Sequence, residues 1–173
     1  MTQSNRPLLG VKAAILVANG FCEDHLVNIQ KSLQNLGANV RIISSEQGLV
    51  CGWTETGWGY HFAVDSGLNT VLAADYALLV VPGGQRSIDK LNLTQHTRRF
   101  INGFLAAQKP VAVFDEAGQL VSDISVSVAN DHQPSGHKLM VVDSAGTQDW
   151  DQKVTDFLIT AVDAVEDSGV QAA

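Results

Sequence analysis

Residues 11–18 read VKAAILVA, and the meaning of this run decides the fold. It is too short for a core helix and apolar almost throughout, so it reads as a strand covered on both faces. Helical spacing follows: Leu26, Ile29, Leu33 and Leu36 recur three or four residues apart, and Gly37 stands as a stop. VRII at 40–43 is a second strand. The alternation continues with YALLVV at 76–81, closed by Pro82, Gly83 and Gly84. Phe100, Ile101, Phe104 and Leu105 mark one face of a helix, and VAVF at 111–114 follows Pro110 as a further strand. Residues 126–129 and 139–142 carry weaker strand signals. Val154, Phe157, Leu158, Ala161, Val162 and Val165 form the stripe of a last helix. Asp149 and Asp151 stand at its start, where the helix dipole favours negative charge. Residues 48–65 break the rhythm: Gly48, Gly52, Gly57 and Gly59 punctuate Trp53 and Trp58, which suits a hairpin on the sheet surface.

Apolar strands separated by helices predict an α/β fold, a doubly wound and mostly parallel sheet with helices on both faces. In such sheets ligands sit at the carboxyl ends of strands, where strand order reverses. That rule selects three loops, 18–22, 82–87 and 114–118. Residues 1–10 read as a flexible lead-in, 11–167 as a single domain and 168–173 as a frayed tail.

The chain has 173 residues, 45% hydrophobic and 17% charged, a globular composition rather than a disordered one. Its net charge of −7 repels phosphate backbones and anionic lipid, so neither nucleic acid nor membrane is an expected partner. No apolar run is long enough to span a bilayer, and MTQSNRPLLG at the start lacks the apolar core of a secretion signal. Two cysteines, Cys22 and Cys51, make no disulfide framework. The expected location is the cytoplasm.

The Asn19-Gly20-Phe21 turn lacks the glycine spacing of a dinucleotide site, and no P-loop or common zinc signature occurs. No cofactor is expected. Four segments nevertheless stand in a telling order: AILVANGFCEDHL (14–26), GWTETGWGYHFAVD (52–65), YALLVVPGG (76–84) and KPVAVFDEAGQLV (109–121). Together they resemble the ThiJ/PfpI superfamily, flavodoxin-like relatives of the class I glutamine amidotransferases, and within it the PfpI branch. The match runs from about Val11 to Leu120 and then fades.

The resemblance implies a flavodoxin-like fold, a homodimer or higher oligomer, and a cysteine nucleophile at a sharp strand-to-helix turn. It further implies a following histidine, a glutamate of the first helix against the sulfur, and an acid after the Pro-Gly-Gly loop. This chain departs at each position. Asp115 stands at the nucleophile, Glu116 at the histidine, His25 at the glutamate and Ile88 at the acid. A carboxylate is a far weaker nucleophile than a thiolate. The expectation is a non-catalytic protein with a binding, scaffold or regulatory role. In lacking the nucleophile it is similar to the C-terminal domain of large-subunit catalases. The alternative is a hydrolase, or a deglycase- or glyoxalase-like enzyme, with a site rebuilt on Asp115 and His25.

Asp115 and His25 are expected at adjacent strand ends. They read either as a general base or half of a metal site, with Glu116 or Cys22 as a further ligand, or as a salt bridge that raises the His25 pKa. Cys22 precedes a helix, but Glu23 and Asp24 oppose its thiolate. Cys51 reads as a small hydrophobe. His132 and His137 flank a turn and read as a metal loop or as solvent-exposed residues. Arg86 reads as a clamp for a small-molecule carboxylate or as a surface residue, and Trp53 and Trp58 as interface or packing.

Overall fold

The computed structural model describes residues 6–129, 139–144 and 149–169. The run at 11–18 contains β1 (Lys12–Val17), followed by the short β2 (Phe21–Cys22) and α1 (Glu23–Asn35). Helix α1 ends as its glycine implies. Gly37, at φ 95°, donates to Gln34 O and Ala38 donates to Leu33 O, which satisfies two terminal carbonyls. The chain then passes through β3 (Asn39–Ser44), β4 (Leu49–Thr54), β5 (Gly57–Ala63) and β6 (Ser66–Gly67). The second half comprises β7 (Leu78–Val81), α2 (Gln85–Asn92), α3 (Gln95–Ala106), β8 (Val111–Phe114), α4 (Ala117–Ala129), β9 (Leu139–Val142) and α5 (Trp150–Gly169).

Six strands form one sheet in the order β6-β3-β1-β7-β8-β9, with every neighbouring pair parallel. The order reverses between β1 and β7, so the crevice for a ligand lies above their carboxyl ends. Side chains alternate across the sheet. Ala13, Ile15 and Val17 of β1 join a core layer with Leu26, Ile29 and Leu33 of α1 and Val154, Leu158 and Val162 of α5. Ala14 and Leu16 join the opposite layer with Leu91, Phe100, Phe104 and Leu120 of α2, α3 and α4.

The glycine-punctuated segment forms the hairpin β4–β5, which pairs in parallel with β2 as a small second sheet. Its glycines make room for an acid. A side chain on Gly52 or Gly59 would collide with Glu23, whose buried carboxylate accepts from Tyr60 N–H at 2.8 Å.

One expected strand is a helix. Residues 126–129 lie in α4 rather than in a strand, because Ala117, Leu120, Val121 and Ile124 repeat at helical spacing ahead of them and are buried. Leu8, within the expected lead-in, is fully buried and donates to Leu36 O at 3.0 Å. Helix α5 runs to Gly169, into the expected tail. The turn bearing His132 and His137 lies outside the described residues. Among the described residues no helix is long and apolar enough to cross a membrane.

Candidate functional site

The three loops chosen from sequence converge. Cys22 N–H donates to Gly83 O at 2.7 Å, Gly84 N–H donates to Glu116 Oε2 at 3.1 Å, and Ala18 N–H donates to Ser87 Oγ at 2.9 Å. Gly84 lies at φ 113° and packs against the Gly20–Cys22 backbone so closely that a Cβ would stand 2.5 Å from Gly20 O. A fourth loop, past β9, completes the site.

Asp115 occupies the turn between β8 and α4 at φ 48°, the left-handed region that residues other than glycine seldom adopt. The conformation costs about 1 kcal/mol or more and is held by neighbours. Asp115 N–H donates to Val142 O at 2.9 Å. Ser144 then holds the carboxylate from both sides, its N–H donating to Oδ1 at 2.9 Å and its hydroxyl to Oδ2 at 2.6 Å.

His25 lies on the first turns of α1 with its side chain 4% exposed. Its Nδ1 accepts from Gly83 N–H at 3.1 Å, so in the neutral ring the proton sits on Nε2. Nε2 faces Asp115 Oδ2 at 3.7 Å, too far for a hydrogen bond. The ring stacks on Phe114 at 4.5 Å and meets the edge of Trp150 at 5.3 Å. Burial pulls the His25 pKa below its ordinary value, against the opposing pull of Asp115, Asp24 and Glu116. The pair does stand within ion-pair range at 3.7 Å, but the raised His25 pKa expected of such a pair is corrected. Dehydration outweighs a carboxylate that comes no closer, and protonating Nδ1 would also break its bond from Gly83.

Cys22 is half-buried, and its pKa is raised by burial and by the charge of Asp24, against the lowering contacts of backbone N–H groups. A raised pKa works against the thiolate that an activated cysteine needs. Cys51 points its sulfur at Gly59 O and Gly52 O, at 3.5 and 3.6 Å. Ile88 is buried in the core layer of α2, α3 and α4 and borders a surface pocket together with Glu116. Arg86 stacks over Trp53 at 4.5 Å and lies 5.8 Å from the Trp58 ring, on the outer face of the hairpin. Among the described residues no three His, Cys, Asp or Glu side chains gather as a metal ion requires.

The order of contacts limits the chemistry. A hydrolytic triad places its imidazole between hydroxyl and carboxylate, so that the ring takes the hydroxyl proton. Here the carboxylate of Asp115 stands between Ser144 and His25, and the serine proton is committed to it. Sequence reasoning missed Ser144 and Trp150. The strand-end rule that selects the other loops also points to Ser144, which stands two residues past the end of β9.

A doubly wound parallel sheet, switched between β1 and β7 and carrying a left-handed residue at a strand-to-helix elbow, defines the class. The sequence model of the DJ-1/PfpI family matches residues 11–167, and the chain belongs to that family. Solved structures share its fold at low identity. One is the VC2308 protein, with a TM-score of 0.72 at 19% identity over 94% of each chain. Another is oxidized DJ-1 of Toxoplasma gondii, with a TM-score of 0.69 at 15% identity over 95% of this chain and all of that one. DJ-1beta of Drosophila melanogaster gives 0.68 at 15% identity, again over 95% and 100% of the two chains. No curated protein matches the sequence.

Proposed function

We propose that this chain is a non-catalytic member of the DJ-1/PfpI family, a binding, scaffold or regulatory protein whose elbow carries Asp115 in place of a cysteine nucleophile. One observation carries the reading: the residue in the left-handed elbow position is an aspartate whose two oxygens are held by Ser144. A carboxylate so engaged is a poor nucleophile, and a neutral, buried His25 with its Nδ1 occupied is a poor base. The rebuilt enzyme on Asp115 and His25 would need a direct proton path between them, and 3.7 Å does not supply one. Self-association is part of the proposal. Trp58 and Tyr60, 57% and 76% exposed on the edge strand β5, suit an interface between copies. A cytoplasmic location accords with two free cysteines.

The test is turnover of glyoxals, esters and peptides by the wild type beside Asp115→Ala. Equal rates at the uncatalysed background support the reading. A wild-type rate that falls in the variant overturns it.

A further inference from the structure

A cleft of about 460 Å³ opens at the amino ends of β1, β7 and β8, the end of the sheet opposite the elbow. Its volume is that of a site for a small organic molecule. Leu9, Val11, Ala77 and Val162 give it apolar lining, and Leu9 is itself 70% exposed. Three charged side chains border the same space: Lys12, Asp75 and Lys109. On a chain of net charge −7 this lining is one charge positive.

Lys109 is an independent mark on the cleft, because its ammonium is held in place. The residue is partly buried, and Nζ donates to Ala73 O at 2.9 Å and to Tyr76 O at 2.8 Å. Those bonds use two of its three N–H donors. The third has no acceptor among the described residues, and no described carboxylate lies within ion-pair range of Lys109 or Lys12. Burial pulls the Lys109 pKa below its ordinary value, against the opposing pull of Asp75. An ammonium that is fixed, partly dehydrated and without a counter-ion gains more from a bound anion than a freely solvated surface lysine does.

We propose that this cleft binds a small monocarboxylate with an apolar body. Its carboxylate accepts from Lys109 Nζ, Lys12 adds attraction, and its hydrocarbon covers Val11, Ala77 and Val162. The inference goes beyond the reading above: the cleft and the elbow lie at opposite ends of the sheet, and neither needs the other. A cation would meet two ammonium groups against one carboxylate. A bare inorganic anion would leave the apolar lining in water and forgo the burial that the cleft offers. A neutral hydrocarbon would leave Lys109 without its counter-ion.

The test uses hexanoate, followed through the backbone amide resonances of Val11 and Ala77 in the full chain at neutral pH and fixed ionic strength. Acetate, 1-hexanol and hexylammonium are the comparators. A ligand of this size binds with a dissociation constant on the order of 1 to 10 mM. Hexanoate is expected to shift both amides saturably and to give nuclear Overhauser effects from its chain to the Val162 methyls. Acetate and 1-hexanol bind severalfold more weakly, and hexylammonium does not bind. Lys109→Met keeps the stem and removes the ammonium, which weakens hexanoate by about tenfold. Lys12→Met, at an exposed position, weakens it by about threefold and serves if the Lys109 variant does not fold. An absent or unsaturable hexanoate shift overturns the proposal, as does 1-hexanol or hexylammonium binding as tightly as hexanoate, or undiminished binding in either folded variant. Those results leave the non-catalytic reading standing, since that reading fails only on turnover.

Discussion

Ser144→Ala removes the hydroxyl that fixes the elbow and leaves the backbone in place. The bond at stake is an O–H···O⁻ contact of 2.6 Å to Asp115 Oδ2. Hydrogen bonds to charged groups contribute about 1.5–3 kcal/mol to stability. The Asp115 side chain is 26% exposed, so water recovers part of the loss and an effect of about 1–2 kcal/mol is expected. For a chain of this size that lowers the melting temperature by roughly 2–8 °C. Asp115→Ala costs more, because it also forfeits the bond from Ser144 N–H and places alanine in a left-handed conformation worth about 1 kcal/mol. A double-mutant cycle in urea removes the backbone terms and isolates the side-chain coupling. The cycle should return about 1–2 kcal/mol. Additivity within about 0.3 kcal/mol would refute the claim that Ser144 holds the elbow.

The neutral state of His25 has a signature in pH. Its folded pKa lies below the ordinary 6.5, so the unfolded chain binds more protons there. Its share of stability is present above that value and is lost as pH falls through the folded pKa. The unfolding free energy from urea titrations should drop on acidification by as much as about 1.4 kcal/mol per pH unit relative to His25→Gln, which keeps an acceptor for Gly83 N–H. A wild type that gains on the variant under acid would mean a charged His25 paired with Asp115. Gly59→Ala should destabilise by about 1–3 kcal/mol, because its methyl displaces the Glu23 carboxylate from Tyr60 N–H. Most of that loss should vanish in a Glu23→Ala background, and an equal loss there would show that Glu23 is not the obstacle.

The fold was legible because the signals are local and repetitive. Apolar runs at 11–18, 76–81 and 111–114 can only be buried between two helix layers, and Gly37 marks a real stop. Residues 126–129 imitate a strand because valines alternate with serines there, while the helical repeat of Ala117, Leu120, Val121 and Ile124 lies upstream. The site was half legible. Strand ends and a resemblance located His25, Asp115 and Glu116, but not their relations. Whether an imidazole beside a carboxylate is charged depends on tenths of an ångström and on burial, and neither is written in spacing. Ser144 reaches Asp115 across 29 positions of sequence, through a bond that no local pattern announces. Glu23 likewise stands in the sequence only as a charge beside Cys22, and its burial shows once Gly52 and Gly59 are seen to accommodate it.

The proposal that this site works without thiol chemistry is tested most directly by the alkylation rate of Cys22 as a function of pH, read by peptide mapping. The half-buried sulfur beside Asp24, with its pKa above the ordinary 9.0, predicts a slow reaction whose rate is still climbing at that pH. A rapid reaction already at its plateau in neutral buffer would reveal an activated cysteine beside the elbow and contradict the account.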